Sequence, residues 1–133
     1  MIDNRFPVGE WGVVERVVTG EITARALGSG LVDLLGTPFL VALAEQASVS
    51  AVAQYLDPGE TTVGVRLEVS HLAATPVGMK VTVRSQLIRV EGRRLFFHFE
   101  AHDEVEKIGE GSHERAVVLL QRIMEKATAK KAR

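Results

Sequence analysis

Two ionisable side chains stand on faces that their surroundings mark as core, Glu45 and His71. A carboxylate and an imidazole turned toward one interior can serve as base and acid, or as nucleophile and proton carrier. Buried without a partner, a carboxylate costs on the order of several kcal/mol or takes up a proton, so Glu45 must be partnered or chemically employed. At this level a structural acid held by a turn or an arginine competes evenly with a catalytic one. A histidine on a core face is likewise more often structural, but two misplaced ionisable groups facing one interior account for each other.

The elements that must hold them can be read from the pattern. Thr37-Pro38-Phe39 through Tyr55-Leu56 reads as a long helix, with Thr37 as N-cap and Pro38 at the first helical position. At about 100° per residue, Gln46, Ser50, Gln54 and Asp57 form one polar edge. Glu45 points about 100° away from Gln46, among Val41, Val49, Val52 and Leu56, on a face expected to be covered by something apolar. Asp57-Pro58-Gly59 ends the helix, and from Thr61 a strand carries Val63, Val65, Leu67, Val69 and His71 on one face, with Thr62, Arg66, Glu68 and Ser70 on the other.

Around this pair, Trp11 to Arg25 reads as one or two short strands bent near Gly20. Ala26 to Gly36 reads as a glycine-punctuated apolar connection, a packed loop or a lid. Thr75 to Gly78 is a turn, Lys80 to Val90 a strand, and Glu91-Gly92 a tight hairpin. On the return strand Leu95, Phe97, Phe99 and Ala101 share one face. His98 and His102 share the other, about 13 Å apart and too distant for one metal ion. Ile108 to Leu120 is a last strand with a bulge expected at Gly109 and Gly111, and the tail from Gln121 to Arg133 is a short helix or frayed. Short strands, one apolar helix and four antiparallel strands in hairpin sequence give an α+β fold. The sheet should curl around the helix, and its edge would favour a second copy.

With 133 residues, 46% of them hydrophobic, one domain spanning 1–133 is expected. A net charge of −1 with interleaved signs offers nothing to nucleic acid or an anionic membrane. The absence of cysteine excludes disulfides and thiolate chemistry and fits a reducing compartment. Met1 to Glu10 lacks the apolar run of a leader, and no stretch approaches the roughly 18 apolar residues of a membrane span, so a cytoplasmic location is expected.

Thr37-Pro38, Glu45, Gly64, Ser70-His71, Pro76-Val77-Gly78 and the run from Ile108 to Val118, IGEGSHERAVV, resemble the hotdog-fold thioesterases, and among them the fluoroacetyl-CoA thioesterase type. The resemblance covers about Thr23 to Val118. It implies a hotdog fold, one long central helix wrapped by a curled antiparallel sheet. It further implies a catalytic Thr37, Glu45 and His71 at a homodimer interface, either stopping at the dimer or pairing on to a tetramer. A backbone amide near Gly64 would meet the thioester oxygen, Arg115 would lie near the site or the CoA moiety, and Leu31 and Phe39 would border the substrate. Fluoroacetyl selectivity in that family goes with aromatic lid residues ahead of the helix. This chain has Leu31, Val32, Leu34 and Leu35 there, so an ordinary acyl-CoA is the expected substrate.

The expected reaction is hydrolysis of an acyl-CoA thioester, with Glu45 as general base or nucleophile, Thr37 positioning it or relaying a proton, and His71 assisting proton transfer. Amides at the helix N-terminus would favour the oxyanion. No metal or cofactor is expected beyond the CoA of the substrate. An acyl-CoA hydratase or dehydratase and a non-catalytic acyl-CoA binder remain as alternatives on the same fold.

Overall fold

The computed structural model describes residues 5–132; of the leader reading, Met1 to Asn4 lie outside them. Five strands, β1 (Trp11–Val17), β2 (Glu60–His71), β3 (Lys80–Glu91), β4 (Arg94–His102) and β5 (Lys107–Leu119), form one antiparallel sheet in the order β1-β3-β4-β5-β2. The three last strands form a meander, but β2 is not hairpinned to β3 as expected. It lies beyond β5 at one edge, and the 72–79 connection crosses back to the far side. Of the one or two short strands expected before the helix there is one, β1, followed by a 3-10 turn at Gly20–Ile22 and the short helix α1 (Ala24–Leu27).

Helix α2 (Thr37–Val52) lies in the concave side of the sheet and continues as a 3-10 turn over Ala53–Tyr55. Leu40, Leu43, Ala44 and Ala47 pack with Val81, Val83, Phe99 and Ala101, while Ala51 and Val52 join Leu87, Leu95 and Phe97 in a second cluster. The alanines matter because a small side chain lets a helix approach a sheet closely, and the bulk is supplied from β3 and β4, where apolar residues alternate. Gln46, Ser50, Gln54 and Asp57 are exposed, as the polar edge requires. After β5 the chain enters helix α3 (Leu120–Thr128).

Two local readings are corrected. The helix is capped by Gly36, not Thr37; Thr37 is the first helical residue, Pro38 the second, and no side chain caps the end. The register of β2 shifts between Gly64 and Arg66. A bulge reverses which side chains face inward, so Thr62 is buried and Val65 is exposed, against the single apolar face expected, while Leu67, Val69 and His71 still turn in. The irregularity expected near Gly109 is present on the β4 side of β5, where Ala101 pairs with Gly109 and His102 with Lys107, while Gly109 and Gly111 pair with β2 in unbroken register. Gly111 instead serves close packing: a Cβ there would fall 2.6 Å from the Phe99 ring and 1.9 Å from the Glu68 carbonyl oxygen.

Candidate active site

Thr37 and His71 meet. Thr37 opens α2 and His71 ends β2, and Thr37 Oγ1 lies 2.7 Å from His71 Nδ1. The hydroxyl that would have capped the helix is used here instead, which is why Gly36 takes the cap. His71 Nε2 is buried with no hydrogen-bond partner among the described residues. Burial lowers the His71 pKa below its ordinary value, with a backbone contact at Ala73 opposing, so the ring is favoured neutral. Both residues line a cavity of about 370 Å³ walled by Val32, Leu34, Leu35 and Leu72. Its roof is the connection after α1, tied down by Arg25, whose Nε bonds Asp33 at 3.0 Å and whose Nη2 donates to the Leu31 carbonyl at 2.8 Å.

The expected amides at the helix start are mostly spent. Pro38 has none, and those of Phe39 and Leu40 donate to the Gly36 carbonyl at 3.0 and 3.1 Å, which leaves Thr37 as the amide of that end. Leu31 is 84% exposed at the tip of the roof and outside the cavity lining. Phe39 packs against the core, with the Arg16 guanidinium 5.1 Å above its ring.

Glu45 stands elsewhere. It is neither lone nor covered by apolar groups: its side chain is 42% exposed, and Arg115 Nη1 donates to its Oε2 at 3.1 Å. Arg115 is buried, with Nε donating to Thr62 Oγ1 at 2.9 Å and Nη2 to the Thr62 carbonyl at 3.0 Å. Gly64 adjoins the carboxylate, since a Cβ there would sit 2.8 Å from Glu45 Oε2. Beside them Ala42, Glu45, Gln46, Val49, Ser50 and Arg115 line an open groove of about 440 Å³. Eight residues separate Thr37 from Glu45, about 12 Å along a helix at 1.5 Å per residue. Within one chain Glu45 bonds Arg115, while Thr37 and His71 bond each other.

Residues 18–121 match the family model described as fluoroacetyl-CoA-specific thioesterase. The chain is 48% identical over 98 residues to the fluoroacetyl-CoA thioesterase of Streptantibioticus cattleyicolor, covering 74% of this chain and 70% of that one. The chain belongs to the fluoroacetyl-CoA-specific thioesterase family. Its fold agrees: the solved fluoroacetyl-CoA thioesterase FlK superposes with a TM-score of 0.89 at 42% identity, over 93% of this chain and 96% of that one. A thioesterase-superfamily protein of Thermus thermophilus gives 0.89 at 29% identity, over 96% and 94%.

In this thioesterase sequence reasoning missed Thr62 and His113. His113 Nε2 lies 3.2 Å from Arg115 Nη1 and its Nδ1 lies 2.8 Å from the Arg66 carbonyl oxygen. Strict alternation put Thr62 outward; the available signal was Gly64, a glycine inside a strand pattern, which marks a bulge or a close approach. The exposed His98 and His102 take no part in either cluster. Among the described residues no three His, Cys, Asp or Glu gather as a metal site, and no helix is long and apolar enough to cross a membrane.

Proposed function

We propose that this thioesterase hydrolyses a short-chain acyl-CoA in a site built by two copies of the chain, each giving Thr37 and His71 to one site and Glu45 to the other. The observation that carries the reading is the Thr37–His71 hydrogen bond in the wall of an apolar cavity, beside a histidine nitrogen without a partner among the described residues. The cavity takes the acyl chain, and the roof residues Val32 and Leu34 limit its length. The thioester carbonyl then lies over Thr37 and His71.

Glu45 from the second copy either attacks the carbonyl carbon, giving an anhydride that water opens, or removes a proton from the attacking water. Both routes end with the acid and CoA thiol. Thr37 orients the carboxylate or relays the proton, His71 assists its transfer toward the leaving sulfur, and the Gly64 backbone beside Glu45 meets the carbonyl oxygen. CoA enters as part of the substrate, and these side chains carry the chemistry without a metal.

The open edge and the separation of Glu45 from the Thr37–His71 pair along α2 support a dimer. β2 is a twelve-residue edge strand with Val65 49% exposed, an open template for a second copy. Antiparallel pairing of two β2 strands about a twofold axis near Glu68 brings the stretch around Gly64 of one copy toward His71 of the other, and with it Glu45 toward the Thr37–His71 pair. Light scattering at micromolar concentration should give twice the chain mass; a monomer would remove the shared site.

Thiol release over acyl-CoAs of graded length tests the activity, with turnover expected for short chains and falling as the chain outgrows the cavity. Tight CoA-ester binding without thiol release would make the protein a binder, and a hydrated product without thiol would make it a hydratase.

A further inference from the structure

Behind Glu45 lies a hydrogen-bonded series that the proposed reaction does not touch. A guanidinium has donors and no acceptor, so in the 3.2 Å contact with Arg115 Nη1 the nitrogen Nε2 of His113 must accept. The His113 proton is therefore on Nδ1, which donates to the Arg66 carbonyl oxygen at 2.8 Å. Both ring nitrogens are assigned by their partners, to one tautomer of a neutral imidazole. His113 is 4% exposed and Arg115 6% exposed, so neither contact is softened by bulk solvent. The same Nη1 that donates to His113 donates to the half-exposed Glu45. With Thr62 holding Nε and Nη2, the acceptor at His113 settles where Nη1 points, and Nη1 settles where the carboxylate sits.

We infer that His113 is a positioning residue, which by accepting from Arg115 holds the guanidinium that aims Glu45. The inference rests on the proposed role of Glu45 as the reacting carboxylate. A protonated His113 could not accept, and would set two buried cations against each other. Burial lowers the His113 pKa below its ordinary value, Arg115 adds to this, and the Arg66 backbone and Glu45 oppose it. On its other side His113 borders a cavity of about 290 Å³ that carries the charged groups Arg66, Glu68, Arg89 and Glu114.

The test uses His113→Leu, which removes the acceptor, and His113→Gln, which offers an amide oxygen in place of Nε2. With a short acyl-CoA, His113→Leu should lower kcat on the order of 10-fold with KM within about twofold, His113→Gln should recover most of that loss, and His113→Leu should add nothing in a Glu45→Gln background. A parent kcat in folded His113→Leu, no rescue by the glutamine, or an undiminished effect without the Glu45 charge would overturn the inference. Should His113→Leu fail to fold, nitrogen NMR of the parent at pH 7.5 decides. A neutral ring protonated on Nδ1 supports the inference, and a ring protonated on Nε2 or charged overturns it. If Glu45→Gln itself keeps the parent rate, it is the reading of Glu45 that fails. If Glu45→Gln is inactive while His113→Leu is parent-like, only the role of His113 falls.

Discussion

Glu45→Gln keeps the volume and much of the hydrogen-bonding capacity of the side chain while removing its charge. A carboxylate that only anchors Arg115 would tolerate the change, whereas a proposed base or nucleophile should lose on the order of 10²-fold or more in kcat. Gly64→Ala probes the same group differently. Its Cβ would fall 2.8 Å from Glu45 Oε2, the movable end of a half-exposed side chain, so the fold should survive while the carboxylate is displaced. A drop in kcat on the order of 10-fold, with the melting temperature little changed, is the expected outcome of thiol-release assays run beside thermal melts. The histidines give a pH signature. His71 and His113 both have folded pKa values below the ordinary 6.5, so between the folded values and 6.5 the unfolded chain binds more protons. Stability is therefore complete above about pH 6.5 and declines as pH falls through the window beneath it. Thermal melts of the parent should show this decline, and His71→Gln should flatten part of it.

The strand β2 decides whether the residues around Glu45 exist at all, because its bulge turns Thr62 inward to hold Arg115. Alternation alone identified the inward face from Leu67 to His71, and with it the inward turn of His71. It failed before Gly64, since a period-2 pattern carries no mark of an inserted residue except the glycine itself. The helix was legible for a similar reason: its polar edge and its proline follow from local geometry. Its cap was not, because the Thr37 hydroxyl is claimed by a histidine 34 residues away, a contact that no local rule contains. The same limit applies to the order of strands, where β2 pairs with β5 across the sheet instead of with its sequence neighbour. At the roof of the cavity, Leu34→Ala should admit longer acyl chains. The ratio of kcat/KM for hexanoyl-CoA over acetyl-CoA should rise by about tenfold, the scale of one or two methylene contacts in a hydrophobic pocket.

At the scale of the whole molecule the proposed site is divided between two copies. α2 holds Thr37 and Glu45 about 12 Å apart along its axis, and the open groove beside Glu45, together with the exposed edge of β2, leaves room for a second copy to close the gap. Family membership makes the protein a thioesterase and says nothing about which copy supplies which residue. Subunit complementation does. His71→Gln and Glu45→Gln should each be nearly inactive as homodimers, but a mixed dimer would contain one site with His71 from one chain and Glu45 from the other, both intact. Unfolding and refolding the two variants together in equal amounts should restore about a quarter of the parent thiol-release rate, because half the dimers are mixed and each has one working site of two. If the refolded mixture stays as inactive as its components while mass measurement shows that mixed dimers have formed, every site draws His71 and Glu45 from the same chain and the shared site is wrong.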